Sequence, residues 1–376
     1  MSDRVKNIVL TILFPLIIFG FVILHFVMPD GAVSQSERRP LEQFPELSTE
    51  SISKGEFMTG FEDYLLDQFP FRDTFRTGKA TVMFNVLLQK DNNDIYFADG
   101  HASELDDKLN ENLINEAGNK ILLLAKQLFG NKDVNYYYSV VPDKNYFLAE
   151  QNGYPVYDYD KLNAILDGKL TDKMTKIDIF GLLTIDDYYK TDTHWKQENL
   201  GKVMAAFGEA MGFEATDNYT KNPVGSFYGV YYGRSALPLP PDPLTVLKSQ
   251  AIEGAKVQML TSQGRFEDAE MYDYDKFGSE GDPYDIYLSG TQMIITIENE
   301  NAQTDKELFL FRDSFGSSIA PLFTEYYSKI TVIDVRYIAS PLVKNFVRDI
   351  PTGSDVLFLY STLVLNNSVI LNVFDQ

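Results

Sequence analysis

The chain opens with one long apolar segment. Asn7 to Met28 contains no Asp, Glu, Lys or Arg, and a helix of that length, rising about 1.5 Å per residue, crosses the roughly 30 Å hydrocarbon layer of a bilayer. Arg4 and Lys6 precede the segment, which predicts a cytoplasmic N-terminus and an extracytoplasmic remainder. We therefore expect a cytoplasmic tail at residues 1–6 and an uncleaved single-pass anchor at residues 7–28 in the cell membrane. A cleaved signal peptide is the alternative, but its apolar run is usually shorter.

A polar segment follows the anchor and leads into helical patterns. Residues 29–55 are polar, with scattered Pro and Ser and no period, which is typical of a tether. Within residues 57–88, apolar positions recur at helical spacing on both sides of Pro70, so we expect two helices joined by a turn. Residues 111–130 show the same spacing and end at Gly130, which predicts a further helix.

The remainder of the chain alternates short apolar runs with helical patterns. The predicted strands are 134–141, 307–312, 329–335 and 355–361, and the predicted helices are 196–212, 315–327 and 340–348. Such alternation is typical of a parallel sheet covered by helices on both faces. We therefore expect residues 56–376 to form one α/β domain.

The stretch 213–290 breaks this alternation. It is rich in Gly, Pro, Tyr and Asp, which predicts an inserted region of loops and short strands. Two interpretations of its tyrosines remain open. Their side chains either shape a binding groove for sugar or pack beneath a surface of irregular loops.

Composition narrows the classes of partner. The chain carries 33 Lys and Arg against 54 Asp and Glu, a formal net charge of −21. That field repels phosphate backbones, so we expect no nucleic-acid partner, and a neutral or already acylated substrate fits better than a polyanion. The chain has no Cys, which excludes disulfides, thiolate catalysis and Cys-ligated zinc.

Three histidines limit the candidates for acid–base chemistry. His25 lies in the apolar segment, and His101 lies in a turn with no nearby pattern of acidic or hydroxyl partners. His194 stands in TDTHWKQEN, two residues after Asp192. In an extended segment these two side chains point to the same side, so Asp192 can accept the Nδ1 proton and leave Nε2 as a base. Helix capping by Asp192 or Thr193 is the alternative.

A serine at the end of a predicted strand complements this pair. RDSFG places Ser314 where the strand 307–312 ends and a helix begins. Sites in parallel α/β sheets form at the carboxyl ends of strands, and free amide N–H groups at the start of a helix can hold a developing oxyanion. The position favours Ser314 as a nucleophile. Capping of the helix by Asp313 or Ser314 is the alternative.

Taken together, the two motifs resemble a known family. TDTHW followed far downstream by RDSFG is similar to the DHHW proteins and to the alginate-acetylation enzymes of the AlgJ and AlgX type, SGNH-like hydrolases permuted so that Asp and His precede Ser. FEDYLLDQFPFRDTF, VPDK, SFYGVYYG and KITVIDVRY also look like that family. The resemblance implies an SGNH-hydrolase-like parallel sheet covered by helices, with Ser314 as nucleophile, His194 as base and Asp192 as its orienting residue. Thr193 stands where the family often has its first His, but the matching base is the second.

The resemblance also implies an activity and partners. It implies an O-acetyltransferase or acetylesterase that acts outside the cell on a cell-envelope or exported polysaccharide or oligosaccharide and needs no cofactor. The acyl donor would come through a multi-span membrane O-acyltransferase. A catalytically silent protein that binds glycans, or serves as a scaffold in a polysaccharide synthesis complex, is the alternative.

Three further residues are candidates near the site. Tyr232 and Arg234, in the inserted region, are candidates for substrate or oxyanion contacts. Lys144, in VPDKN near the end of a predicted strand, is a third candidate, with a solvated strand-end lysine as the alternative. We assign no metal, because DYDKFGSEGDPYD places Phe277 and Tyr284 where an EF-hand loop needs ligands. An adventitious calcium ion in that run is the alternative.

Overall fold

The chain divides into two units. The computed structural model describes residues 2–34, 36–130, 132–277 and 281–375. The first unit comprises Met1–Asn92 and Tyr232–Pro238, and the second comprises Asn93–Tyr231 and Leu239–Gln376. The sequence-based limits of the tether, the catalytic domain and the inserted region stay predictions.

The first unit is mainly helical. Its helices and short strands are α1 (Asp3–Val27), β1 (Val33–Ser34), β2 (Arg39–Pro40), α2 (Thr49–Lys54), α3 (Glu56–Asp67), α4 (Arg72–Asn85) and β3 (Asp91–Asn92). α3 and α4 are the two helices predicted on either side of Pro70. Within the described part of the chain, α1 is the one helix long and apolar enough to cross a membrane, with a mean hydropathy of 2.7.

The second unit is built on a sheet of eight strands. Its strands are β4 (Ile95–Ala98), β5 (His101–Glu104), β6 (Val134–Val141), β7 (Thr175–Lys176), β8 (Thr220–Phe227), β9 (Asp242–Lys248), β10 (Lys256–Leu260), β11 (Phe266–Ala269), β12 (Ile294–Glu298), β13 (Thr304–Arg312), β14 (Tyr327–Ile333) and β15 (Ser354–Ser361). The large sheet has the order β11-β10-β12-β14-β13-β15-β6-β7. Neighbours are parallel from β14 to β7 and antiparallel from β11 to β14.

Helices connect these strands. Those that begin in the second unit are α5 (Glu111–Leu124), α6 (Asn145–Leu148), α7 (Tyr159–Leu170), α8 (Gly201–Met211), α9 (Val230–Ser235), α10 (Gln250–Gly254), α11 (Tyr274–Phe277), α12 (Phe315–Ile319), α13 (Ser340–Val343) and α14 (Thr362–Asn366). A π-helical segment, Ala125–Phe129, continues α5 as far as Gly130. Gly212, in the left-handed region at φ 84°, ends α8. The sequence predicts both of these ends.

The central strand β13 shows how the sheet is buried. Leu308 and Leu310 belong to one hydrophobic core cluster, whereas Phe309 and Phe311 belong to another. Because successive side chains of a strand point to opposite faces, the two clusters lie on the two faces of the sheet. This confirms the predicted fold class, an α/β fold with a mostly parallel sheet covered on both faces.

The fold departs from the sequence predictions in several places. The helix predicted at 196–212 begins with a 3-10 segment, Gln197–Asn199, before α8. β10 and β11, which fall within the stretch 213–290, are edge strands of the main sheet, where they pair antiparallel. The helix predicted at 315–327 is the short α12 followed by a 3-10 segment, Ala320–Glu325. Pro321 lies at the start of that segment and has no N–H to continue an α-helix. The helix predicted at 340–348 is limited to α13.

Candidate active site

Ser314 lies at the junction between β13 and α12. It is half-buried, whereas the other residues from 311 to 320 are all buried. Gly316 makes the tight junction possible, because a Cβ at this position would lie 2.4 Å from Cβ of Arg312. The junction therefore presents the Ser314 hydroxyl at the carboxyl end of a central parallel strand, where sites of α/β sheets form.

Asp192, His194 and Ser314 form one hydrogen-bonded series. Nε2 of His194 lies 2.8 Å from Oγ of Ser314, and Nδ1 of the same ring lies 2.6 Å from Oδ1 of Asp192. Asp192 and His194 are both buried. The order carboxylate, imidazole, hydroxyl is that of a nucleophile with an oriented base.

A turn, rather than the expected extended segment, brings Asp192 to its histidine. Oδ1 of Asp192 also accepts the backbone N–H of His194, at 3.1 Å. An Asp side chain readily makes this bond to the backbone two residues on, and the bond closes a turn. Oδ2 accepts the N–H of Val230 at 2.9 Å. Both carboxylate oxygens are therefore fixed in orientation.

The backbone before Asp192 is held by segments far along the chain. Thr191 accepts the N–H of Gly229 on its hydroxyl, at 2.8 Å, and the N–H of Tyr231 on its carbonyl, at 3.0 Å. A Cβ on Gly229 would lie 2.2 Å from that carbonyl oxygen, so the approach requires glycine. The buried Asp242 accepts the N–H groups of Lys190 and Thr191, both at 2.7 Å. This network sets the position of the triad carboxylate.

Lys144 supports the same stretch of backbone. Its Nζ donates to the carbonyl oxygens of Tyr189 at 2.8 Å, Lys190 at 3.2 Å and Asp192 at 3.0 Å. The residue is 1% exposed, and burial lowers the pKa of its ammonium group to about 7. Neither a substrate or oxyanion contact nor a solvated lysine fits this geometry. The bonds instead give Lys144 a positioning role for the backbone that carries Asp192.

The ring of Tyr284 lies flat against the imidazole of His194. Its ring stacks on the ring of His194 with centroids 3.8 Å apart and an interplanar angle of 5°. The Tyr284 hydroxyl bonds Oγ of Ser318 at 2.8 Å, and the same Oγ accepts Nε1–H of Trp195 at 2.9 Å. The stacking limits rotation of the imidazole, so Nε2 stays directed at Ser314.

Thr193, which replaces the first His of the family motif, lies outside the hydrogen-bonded series. Its Oγ1 accepts the hydroxyl proton of Tyr231 at 3.0 Å. The base that the resemblance selects, His194, is the one that contacts Ser314.

The remaining predicted residues have other outcomes. Tyr232 and Arg234 belong to the first unit, whereas the triad belongs to the second, and their contact with substrate or oxyanion stays a prediction. Among the described residues, no group of three or more His, Asp or Glu side chains is arranged to hold a metal ion. Residues 278–280 of the acid-rich run, which carried the calcium alternative, lie outside the described residues.

Sequence reasoning misses Tyr284 and Asp242 as parts of the site. Both lie in the stretch 213–290, far along the chain from His194, and no local pattern connects them with it. The tyrosine-rich composition is the one available signal. Tyr284 fits the interpretation in which these tyrosines pack, because it is buried against the imidazole.

Comparison with known proteins agrees with the motifs. Residues 150–333 match the family model of the DHHW protein, which confirms the resemblance drawn from TDTHW and RDSFG. No curated protein sequence matches the chain.

Solved structures share the fold. A DHHW family protein from Eubacterium siraeum DSM 15702 is similar at 19% identity with a TM-score of 0.61, over 76% of this chain and 98% of that chain. Bacillus cereus PatB1 is similar at 20% identity with a TM-score of 0.57, over 72% of this chain and 96% of that chain. PatB1 with a sulfonyl adduct gives the same identity and TM-score, over 72% of this chain and 97% of that chain.

Proposed function

We propose that this chain, similar to the DHHW proteins over residues 150–333, is a membrane-anchored extracytoplasmic O-acetyltransferase or acetylesterase. Its substrate would be a cell-envelope or exported polysaccharide. The observation that carries the proposal is the continuous series from Asp192 through His194 to Ser314, with 2.6 Å and 2.8 Å contacts. Such a series is built to make a hydroxyl nucleophilic.

Acyl transfer proceeds in two steps at Ser314. Nε2 of His194 takes the hydroxyl proton while Oγ attacks the acyl carbonyl carbon, and the donor's alcohol leaves with that proton. Nε2 then takes a proton from an acceptor hydroxyl, whose oxygen attacks the acyl-serine ester, and returns a proton to Oγ. Asp192 stabilises the imidazolium in both steps. The backbone N–H of Ser314 is our candidate for holding the oxyanion, because the N–H groups of Phe315 and Gly316, at the start of α12, already donate to Asp313.

The acceptor decides between the two activities. A sugar hydroxyl gives O-acetyl transfer, and water gives hydrolysis. The outcome depends on how far the acyl-enzyme excludes water. The series Asp192, His194 and Ser314 can activate the serine for either reaction, so we propose both activities.

The charge of the chain supports the choice of substrate and partners. A net charge of −21 disfavours a polyanion and favours a neutral or acylated glycan. We further propose that α1 anchors the chain in the membrane, because it is long and apolar enough to cross one. An acyl donor delivered by a multi-span membrane O-acyltransferase is consistent with that location.

The experiment measures which acceptor, a sugar or water, receives the acetyl group. Full-length protein in detergent is incubated with p-nitrophenyl acetate and neutral oligosaccharides, and mass spectrometry follows acetylated sugar and free acetate. We expect one or both products from the native chain above the level formed without protein, and only that background level from Ser314→Ala. Ser328→Ala is the matched control, because its hydroxyl bonds only carbonyl oxygens of Asp305 and Lys306. Equal turnover by the native chain and Ser314→Ala would leave only the glycan-binding or scaffold alternative.

A further inference from the structure

The turn between α3 and α4 exposes large apolar side chains. Leu66 is 68% exposed, Phe71 is 55% exposed and Phe75 is 52% exposed, with Phe69 only slightly less so. We call these four residues the α3–α4 patch. Soluble surfaces seldom place so many large apolar side chains together, and such a group marks a contact with a partner or a membrane.

Phe71 is held in a backbone conformation that its residue type disfavours. Its φ is 60°, in the left-handed region, and it directly precedes α4. Glycine or asparagine would occupy this position with less strain, and a bulky residue there is uncommon. The chain therefore places a half-exposed aromatic ring at the tip of the turn against the local backbone preference. Strain of this kind is typical of functional positions.

The patch contacts the side of α1. The ring of Phe21 stacks on Phe69 with centroids 5.4 Å apart and meets Phe75 edge-on at 5.7 Å. An apolar groove of about 420 Å³ runs between α1 and α3, lined by Leu65 and Phe69 and by α1 residues between 17 and 26. The exposed apolar surface of α1 thus continues into the patch.

The position of Phe21 along α1 gives the depth of the patch. Phe21 lies six residues from the C-terminal end of α1, Val27. With α1 centred in a hydrocarbon layer roughly 30 Å thick and a rise of about 1.5 Å per residue, Phe21 lies about 6 Å inside the layer's outer boundary. Phe69 and Phe75, which contact Phe21, are then at the depth of lipid acyl chains.

A tyrosine lies just above this level. The ring of Tyr64, in α3, packs on His25 with centroids 5.2 Å apart, and its hydroxyl donates to Asp30 at 3.1 Å. An aromatic ring with its hydroxyl directed to a polar group beyond the apolar segment is the usual arrangement at a membrane–water interface.

We infer that the α3–α4 patch inserts into the outer leaflet and contacts phospholipid acyl chains, so that α1 and the turn form one two-part membrane attachment. The inference rests on the membrane anchoring proposed above. It adds a second, non-spanning contact that would limit the orientations available to the first unit relative to the bilayer.

The charges beside the patch indicate that this contact is apolar rather than electrostatic. Arg39 pairs with Asp67 at 2.6 Å, and Arg76 pairs with Glu37 at 3.2 Å. Arg72 lies between these carboxylates and pairs with both. Since these arginines are already paired, the patch does not require anionic lipid. We expect insertion into neutral vesicles that high salt does not weaken.

Spin labels test the insertion directly. The chain has no Cys, so each of Leu66→Cys, Phe71→Cys, Phe14→Cys and Val369→Cys carries a single label on the full-length protein. Proteins are reconstituted in palmitoyl-oleoyl-phosphatidylcholine vesicles. Collision with oxygen, which partitions into lipid, is compared with collision with a water-soluble nickel complex. Phe14 reports on α1, and the exposed Val369 of the second unit reports on water.

The four labels separate the possible outcomes. We expect nickel accessibility at residues 66 and 71 to be several-fold lower than at 369, and to lie between the values at 369 and at the more deeply placed 14, in low and high salt alike. A lipid-like signal at 14 with water-like signals at 66 and 71 overturns the inference and leaves the anchor intact. A water-like signal at 14 removes the anchor and the inference together. If the labels at residues 66 and 71 are shielded from the nickel complex only in native membranes, and not in pure lipid vesicles, the patch contacts a protein partner. That result also overturns the inference.

Discussion

The two units place their apolar side chains in opposite ways. In the second unit, apolar side chains of the sheet are buried in two clusters, one on each face. In the first unit, Leu66, Phe71 and Phe75 are exposed, and so is most of α1. Apolar surface is stabilised by leaving water in either case. The second unit buries it in its own core, whereas the first unit requires another apolar medium.

Their polar groups differ in exposure. Around the triad, Asp192, Asp242 and Lys144 are buried, and each has several hydrogen-bond partners. In the first unit, the arginine side chains of the ion pairs reach solvent, at 39% exposure for Arg39 and 20% for Arg76, although the Asp67 that Arg39 contacts is buried. Loss of a partner costs much at a fully buried polar group and less where one member of the pair reaches solvent. We therefore expect substitutions around the triad to cost more than substitutions of these arginines.

The largest effect is expected from the triad carboxylate. In Asp192→Asn, the neutral amide cannot accept from His194 on one atom and from Val230 on the other, and it carries no charge to stabilise an imidazolium. We expect kcat to fall by about 10³- to 10⁴-fold with little change in KM, measured by p-nitrophenol release. Asp172→Asn, at an exposed position, is the control and should keep the native rate. A drop of less than tenfold in Asp192→Asn would mean that the series is not the catalytic one.

The next effect is expected at Lys144. Lys144→Met removes the donor from the buried carbonyl oxygens of Tyr189 and Asp192, whereas the carbonyl of Lys190 still accepts the N–H of Ala102. Each buried group that loses its partner costs about 1–3 kcal/mol. We expect the free energy of unfolding to fall by about 3 kcal/mol or more, and kcat, measured well below the unfolding temperature, to fall by about 100-fold from misplacement of Asp192.

Lys329→Met is the matched control for this variant. Its ammonium pairs with Glu298 at the surface, so both quantities should stay near their native values. Loss of stability in Lys144→Met without loss of kcat would remove the positioning role and leave only a structural one.

A smaller effect concerns the pH dependence of stability. Burial, with a lesser contribution from the Lys144 ammonium, lowers the pKa of His101 from 6.5 to about 4. Between these values the unfolded chain binds a proton that the folded chain does not, so the free energy of unfolding falls as pH drops from 6.5 to 4. His101→Gln should flatten that slope in urea titrations at several pH values. A slope unchanged by His101→Gln would refute the assignment.

The smallest effect is expected at the tip of the α3–α4 patch. Phe71→Gly relieves the left-handed strain but increases the freedom of the unfolded chain, so we expect the free energy of unfolding in detergent to change by less than about 1 kcal/mol. The kcat should be unchanged, because Phe71 lies in the other unit from the triad. Phe71→Ala, which keeps the strain, is the comparison. A large loss of kcat in either variant would contradict the functional separation of the two units.

Much of the fold can be predicted from local patterns. β6 begins and ends where its apolar run does, and β13 and β15 exceed the predicted strands 307–312 and 355–361 by only a few residues. Their side chains are apolar on both faces, which is the pattern of a buried parallel strand. β10 and β11 could not be placed in the sheet, because their composition resembles that of loops and their pairing partners are distant in sequence.

The candidate site also has a part that the sequence predicts and a part that it does not. Asp192, His194 and Ser314 stand out from residue type, spacing and a strand-to-helix junction, so their meeting can be predicted. Lys144 and Tyr284 act through contacts that only the tertiary structure creates. An ammonium bonded to three backbone carbonyls, or a tyrosine ring stacked on an imidazole, has no signature in the sequence around it.

One measurement tests the central claim most directly. Full-length protein is mixed with p-nitrophenyl acetate, quenched rapidly in acid and digested, and mass spectrometry of the peptides locates any acetyl group. The hydrogen-bonded series predicts one acetyl group on Ser314, absent from His194→Ala quenched at the same time. Acetyl groups on other residues only, or equal labelling of Ser314 in the native chain and in His194→Ala, would contradict a nucleophilic serine activated by His194.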